Sequence, residues 1–231
     1  MIANIDPRVP LIADADTGSG SPPNKARMVQ LYDQCGIAGF HIEDQIANKR
    51  CGHLEGKKLV DMETWKSRIR ACVLGREAIY GHSDIVFIAR TDALAVEGFE
   101  SALQRLLAAR ECGADMAFLE AIETEEQIKN AAEALAPMPL TINCVSLGKT
   151  PWFPPKKLAE LGVKLTIYPS AAGRPVTHAV RRSYKLIKDK GEDDAAKLGL
   201  DPRGFFNLMG MEKEMEIYRL AGGHAFEKWS R

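Results

Sequence analysis

Two carboxylates stand one residue apart in "ADADTG". Asp14 and Asp16 follow the apolar Val9, Leu11 and Ile12, and Gly18 and Gly20 come straight after. Like charges that close raise each other's pKa unless a cation sits beside them. A third acid, Glu43, ends a second apolar run, "AGFHIED". If the two runs are neighbouring parallel strands, their tips lie about 5 Å apart. Asp14, Asp16 and Glu43 could then share one hard divalent cation. Magnesium needs only one or two carboxylates beside water and substrate oxygens, so direct ligation by one acid and water-mediated contact by the others suffices. The same acids could instead cap helices, sit in a solvated turn, or pair with Lys25, Lys49 or Arg50. Both readings stand on spacing alone.

"KRCGH" (49–53) is the second feature. Thiolate is the reactive form of cysteine, and neighbouring cations favour it. Cys51 has Lys49, Arg50 and His53 within two residues, on a polar stretch expected to be an exposed loop, 45–59. That setting suits a general acid or base; an incidental thiol is the alternative. Arg90, in "ARTDA", ends a third apolar run and could bind a carboxylate in a bidentate fork. It could equally form a salt bridge to Glu43 or Glu120. Asn143, in "NCVSLGKTP", could offer amide donors to another carboxylate, or serve the turn.

These residues need elements to position them. Strands are expected at 9–14, 38–44, 84–90, 114–121, 138–145 and 162–169. Helices are expected at 23–35, 61–80, 97–112, 124–135, 155–161 and 172–190. The tail, 193–231, reads as helical with a break near Gly199–Pro202. Six strands each followed by a helix imply a parallel sheet with right-handed crossovers. The strands are apolar nearly throughout, as when both faces are covered. A doubly wound sheet and a barrel share this rhythm. Polar residues at strand ends (Asp14, Asp16, Glu43, Arg90, Glu120, Asn143, Ser170) favour the barrel, whose active sites gather from the C-terminal ends of several strands. No Gly-x-Gly-x-x-Gly opens a helix, as a dinucleotide fold would require. The expected division is a partial β/α barrel over 1–190 and a helical extension over 191–231.

Composition narrows the class. Lys plus Arg and Asp plus Glu both number 31 in 231 residues, so nothing draws the chain to nucleic acid or an anionic membrane. No apolar run approaches the roughly 20 residues of a membrane helix, and "MIANIDPRVP" lacks the form of a signal peptide. The five cysteines (Cys35, Cys51, Cys72, Cys112, Cys144) form no Cys-x-x-Cys pair. They suit a reducing, cytoplasmic setting, with all but Cys51 expected as small core residues.

Together, "ADADTG", "AGFHIEDQ", "KRCGH", "ARTDA", "FLEA" and "INCV", in this order and spacing, resemble the isocitrate lyase and phosphoenolpyruvate mutase superfamily, over about residues 9 to 190. The resemblance is to its short-chain lyase branch: methylisocitrate lyase, dimethylmalate lyase and oxaloacetate acetylhydrolase. It implies a TIM-type (β/α)8 barrel, a helix exchanged between subunits, a homotetramer, and cleavage of a carbon–carbon bond in a small 2-hydroxy- or hydrated 2-oxo-dicarboxylate with Mg2+, or Mn2+. By this resemblance Asp14, Asp16 and Glu43 match the metal acids and Cys51 the lyase cysteine on a gating loop. Gly52 and His53 hold substrate, Arg90 matches the carboxylate-binding arginine, and Glu120 and Asn143 are pocket residues. Ser170 could bond an oxygen of hydrated oxaloacetate. The mutase branch carries a different motif in place of "KRCGH", so a phosphonate-bond enzyme is the alternative within the fold. The family has about two further βα units before "VPLIADADTG". A shortened, inactive paralogue that assembles with a full-length subunit is therefore a further alternative, and the first and last strands are expected as open edges.

Overall fold

A computed structural model describes residues 2–194 and 198–223. Contacts divide the chain after Ser170, twenty residues before the division drawn from sequence at 190/191. The first unit holds six strands: β1 (Ile12–Asp14), β2 (Gly39–Glu43), β3 (Val86–Thr91), β4 (Met116–Leu119), β5 (Leu140–Asn143) and β6 (Val163–Ile167). All neighbours pair in parallel, in sequence order β1-β2-β3-β4-β5-β6, as a curled half-barrel. Helices follow them: α1 (Pro22–Gln34), α2 (Met62–Glu77), α3 (Phe99–Glu111), α4 (Glu125–Leu135) and α5 (Pro155–Glu160).

Local chemistry explains the helix starts. Pro22 and Pro23 open α1, where a missing N–H costs nothing. Asp61 caps α2 by accepting the Thr64 amide at 2.8 Å. Thr124 and Gln127 form a reciprocal capping box on α4. Helices α1 and α2 approach so closely at Gly75 that a Cβ there would lie 2.6 Å from the Ala26 backbone, which only glycine allows.

Two apolar clusters hold the helices to the sheet. One joins β2 and β3 to α1 and α2 through Val29, Phe40, Trp65, Ile69 and Phe87. Phe40 and Phe87 stack there at 5.0 Å, and the indole N–H of Trp65 donates to the Arg105 carbonyl at 3.1 Å. The other packs Leu106, Leu119, Ile128, Leu135 and Ile142 between β4, β5, α3 and α4.

The expected run of apolar burial fails at the first strand. Val9 lies outside β1 and is exposed, and Ile12 is exposed within it. The reason is topological: β1 pairs on one side only, so its outer edge meets solvent. Cys35 is likewise exposed rather than core, because it sits at the C-terminal cap of α1. Cys72 and Cys144 are buried, as expected.

The second unit contains α6 (Gly173–Lys190), α7 (Pro202–Leu208) and α8 (Met211–Leu220). The break expected near Gly199–Pro202 precedes α7, which Asp201 caps by accepting the Gly204 amide at 2.6 Å. Residues 195–197 and 224–231 of the expected tail lie outside the described residues. Among the described residues no helix is long and apolar enough to cross a membrane.

Candidate active site

Parallel register brings the strand tips level. Asp14 is paired with His41, Glu43 with Arg90, and Arg90 with Phe118. Glu120 follows β4 directly, and Asn143 ends β5. The next residue after Glu120, Ala121, has φ 60°, a conformation that non-glycine residues adopt at a cost. A cost of that kind is commonly met where the chain must aim a side chain.

Arg90 is the hub. Its Nε donates to Asp92 Oδ2 at 3.0 Å and its Nη2 to Asp92 Oδ1 at 3.3 Å. Glu43 Oε2 lies 3.4 Å from Nε and Glu120 Oε2 lies 3.6 Å from Nη2. The guanidinium also sits over the Phe118 ring at 5.1 Å. All three acids are at most 1% exposed. Burial works against the arginine's charge, but Glu120, Asp92 and Glu43 outweigh it and hold Arg90 protonated above its ordinary value. Burial likewise raises the Asp92 carboxyl, yet Arg90 and Lys57 bring it below the usual range. Glu43 goes the other way: burial pushes it up to about 6 against the pull of Arg90 and Lys49. Burial also raises Glu120, with Arg90 opposing.

The salt-bridge alternative for Arg90 is therefore present with both expected partners. So is the Lys49 alternative for the acids. Lys49 Nζ lies 2.5 Å from Asp16 Oδ1 and 3.2 Å from Glu43 Oε2. Asp14 turns elsewhere: its Oδ1 accepts the Asp16 amide at 2.8 Å and lies 3.6 Å from His41 Nδ1. Asp16 itself has φ 52°, tolerated by aspartate in tight turns. Burial lowers His41 to about 4, so its ring is neutral near pH 7. Among the described residues no three His, Cys, Asp or Glu side chains are gathered as metal ligands. Two carboxylates around one cation are what the chain assembles.

The 45–59 loop lies against this hub. Gln45 accepts the Arg50 amide at 3.0 Å, while its Nε2 donates to the Arg50 carbonyl at 2.9 Å and to Glu43 Oε1 at 3.0 Å. Gly52 is so close to the hub that a Cβ would fall 2.4 Å from Glu120 Oε1 and 2.5 Å from Arg90 Nη2. Lys57 ties the loop down, donating to the Gly52 carbonyl at 2.7 Å and to Asp92 Oδ1 at 2.9 Å. His53 accepts the Lys149 amide at Nδ1, 3.3 Å away, which leaves the Nε2 position to carry a neutral ring's proton. That Nε2 lies 3.4 Å from Glu120 Oε1, and both atoms are buried without a hydrogen-bond partner. Glu120 Oε2 accepts the Asn143 amide at 2.7 Å. Cys51 is exposed beside Gly52.

Arg90, Glu120, Asn143, Gly52 and His53 thus meet in one cluster, and Asp16 and Glu43 meet around Lys49. Asp14 borders the cluster, and Ser170 is half-buried beyond β6, outside the hydrogen-bonded group. Sequence reading missed Lys57, Asp92 and Asp44. Asp44 accepts Thr91 Oγ1 at 2.6 Å and the Asp92 amide at 2.9 Å, and so fixes the turn that aims Asp92.

A parallel α/β half-barrel with a cysteine loop over an Arg–Glu–Asn hub at its strand tips defines an enzyme of barrel type. A family profile for phosphoenolpyruvate phosphomutase matches residues 1–188. The 2-methylisocitrate lyase of Vibrio cholerae is 34% identical over 224 residues, covering 95% of this chain and 68% of that enzyme. The crystal structure of a 2,3-dimethylmalate lyase superposes with a TM-score of 0.92 at 44% identity, covering 99% of this chain and 75% of that one. Oxaloacetate acetylhydrolase bound to 3,3-difluorooxalacetate gives 0.92 at 43%, covering 98% and 75%. A phosphonopyruvate hydrolase complex with oxalate and Mg2+ gives 0.76 at 28%, covering 91% and 72%. The chain belongs to the phosphoenolpyruvate mutase/isocitrate lyase superfamily and is a lyase-family member of it.

Proposed function

We propose that the chain encodes a divalent-metal-dependent carbon–carbon lyase acting on a small 2-hydroxy- or hydrated 2-oxo-dicarboxylate of the oxaloacetate, 2,3-dimethylmalate or 2-methylisocitrate type. The observation that carries this reading is the seat of Gly52, pressed against Arg90 and Glu120 so that "KRCGH" overlies the polar hub. The phosphonate-bond alternative is less well supported, because the lyase and acetylhydrolase relatives are the more similar in sequence.

The donor set fits magnesium. Asp16 and Glu43 already converge on a cation, the Lys49 ammonium, and two hard carboxylate oxygens with water satisfy Mg2+. Asp14 borders that position. When bound, the ion supplies Lewis acidity toward the substrate's carboxylate and adjacent oxygen.

The chain's own groups do the rest. Arg90 presents a fixed positive charge, and with His53 Nε2 and the Asn143 amide it orients a substrate carboxylate. The hydroxyl proton passes to water before the loop closes, the oxygen's electron pair forms a carbonyl as the neighbouring carbon–carbon bond breaks, and the pair from that bond leaves with the other fragment as an enolate-like carboxylate. Cys51 Sγ, on the loop beside Gly52, donates the proton that this carbon takes up. The loop held down by Lys57 excludes water while the carbanion lasts. Ser170 is a candidate for discriminating a hydrated 2-oxo substrate. On α6, the exposed Val176, Val180, Tyr184 and Ile187 form an apolar stripe, which supports a homo-oligomer. The test is direct assay of the three substrates with Mg2+ on the purified chain, Cys51→Ser serving as control. Turnover of none, by a folded chain, would favour the inactive paralogue.

A further inference from the structure

Arg105 has no part in the chemistry above, yet it is a charged side chain buried behind the hub, on the outer helix α3. Its Nε and Nη2 grip the two oxygens of Glu97 as a fork, at 3.1 and 3.2 Å. Its Nη1 donates to the Val60 carbonyl at 3.0 Å and reaches Asp44 Oδ2 at 3.4 Å. The Trp65 indole pins the Arg105 backbone through its carbonyl. Three segments that border the site therefore converge on one guanidinium: the residue after β2, the connection from β3 to α3, and the chain just past the 45–59 loop.

We propose that Arg105 is a positioning residue for Arg90: as the counter-charge of Asp44 it fixes the Thr91–Asp92 turn, and through Asp92 it sets the direction of the Arg90 guanidinium. The inference rests on reading Arg90 as the group that takes a substrate carboxylate. Asp44 is fully buried, and a carboxylate at that depth needs a cation and hydrogen-bond donors. One of its oxygens accepts Thr91 Oγ1 at 2.6 Å and the other accepts the Asp92 amide at 2.9 Å. Thr91 Oγ1 in turn accepts the Ala93 amide at 3.2 Å. The turn so held keeps Asp92 at φ −99° and ψ 9°, in the sparsely populated bridge region. From there Asp92 meets two nitrogens of Arg90 and the ammonium of Lys57. Without Arg105 the Asp44 charge is stranded, and water or a shifted backbone must satisfy it. Either change loosens the two bonds that hold the turn. Arg90 then keeps its charge and loses its fixed aim. Lysine is no substitute at 105, because a compact ammonium cannot span Glu97, Val60 and Asp44 as the planar fork does.

The test uses the intact chain and two readouts. Hydrogen exchange of the Arg90 Nε proton, followed by nitrogen-15 NMR, reports how firmly the guanidinium is held. Arg105→Met is expected to speed it at least tenfold, about 1.4 kcal/mol. Arg105→Lys, which keeps the charge and loses the fork, is expected to speed it several-fold and carries the test if Arg105→Met does not fold. Two controls are expected to stay within twofold. Arg110→Met removes a charge from the same helix, where Arg110 serves the Leu135 and Ala136 carbonyls; Ile128→Val loosens the other apolar cluster. The second readout is oxalate affinity with Mg2+ present, by calorimetry, which a loss of stability alone does not change in the folded chain. It is expected to fall at least tenfold in Arg105→Met and to hold in both controls. Unchanged Arg90 exchange in the Arg105 variants, or an acceleration that Ile128→Val matches, overturns the inference. Accelerated exchange in a chain whose wild type binds no oxalate overturns the reading of Arg90 as the carboxylate group and leaves its mechanical link to Arg105 standing.

Discussion

Replacing Arg90 by methionine tests whether the hub is an electrostatic unit. Methionine fills comparable volume, so the change removes charge more than packing. It leaves Glu43, Asp92 and Glu120, each at most 1% exposed, without their shared cation. Breaking a buried ion pair from one side costs about 3–5 kcal/mol, because the remaining charge is stranded. Lys49 and Lys57 partly relieve Glu43 and Asp92, which places the expected loss toward the lower end, about 3 kcal/mol. At roughly 2–4 °C per kcal/mol for a unit of this size, the melting temperature should fall by about 6–12 °C. Urea titration and thermal circular dichroism at pH 7.5 measure it. The loss should shrink as pH falls, since neutral carboxyls need no counter-charge, and Glu43, raised to about 6, should relax first. Adding Glu120→Gln to Arg90→Met should recover part of the loss. A penalty below about 1 kcal/mol, the range of exposed ion pairs, would mean that water reaches the hub and that the burial argument is wrong.

Other outcomes follow from the same geometry. Glu43 is raised from 4.5 to about 6, so the folded state binds its proton more tightly and stability falls by about 2 kcal/mol as pH rises through that window. His41, lowered from 6.5 to about 4, acts oppositely: the unfolded state binds more protons, and stability rises by about 3 kcal/mol between those values. Glu43→Gln should therefore steepen the rise between pH 4 and 6.5, and His41→Asn should reverse it, both read by urea unfolding; parallel profiles would refute the assignments. Gly52→Ala should lift the loop, raising the rate of Cys51 alkylation several-fold and costing about 1–3 kcal/mol of stability, as overpacking a close contact does; Cys51→Ser, at an exposed position, should lower turnover by about 10²-fold or more with stability within about 0.5 kcal/mol. Oxalate should bind at least tenfold more tightly with Mg2+ present than without it, measured by calorimetry.

Six strands in their chain order and the helices between them were legible, because β-length apolar runs and helical periodicity are local properties. Glu43, Arg90, Glu120 and Asn143, though not Asp92 of the same hub, were legible for a related reason: a polar side chain ending an apolar strand has few places to go but the strand's tip. Lys57 was not. In "GKKL" it reads as one of two surface lysines, and its burial depends on the Gly52 carbonyl and on Asp92, 35 residues away. Asp44 and Arg105 were missed alike: their pairing at 3.4 Å spans 61 residues, and neither residue's type distinguishes a buried pair from a solvated one. The open edge at the first strand was expected and β1 occupies it; what misled was the apolar composition of Val9 and Ile12, which reads as burial although both are exposed there.

The charges of the hub bear on why such a site needs a further cation. Arg90, Lys49 and Lys57 face Glu43, Asp92 and Glu120, three positive against three negative, so the interior is balanced before any ligand arrives. Asp14 and Asp16 tip its rim toward negative. A dicarboxylate entering this balance adds two negative charges where water is scarce and each uncompensated charge is costly. Arg90 alone cannot absorb them, since its guanidinium is already engaged by Asp92 through two nitrogens. Two added positive charges restore the balance, which is what a divalent ion at Asp16 and Glu43 would bring.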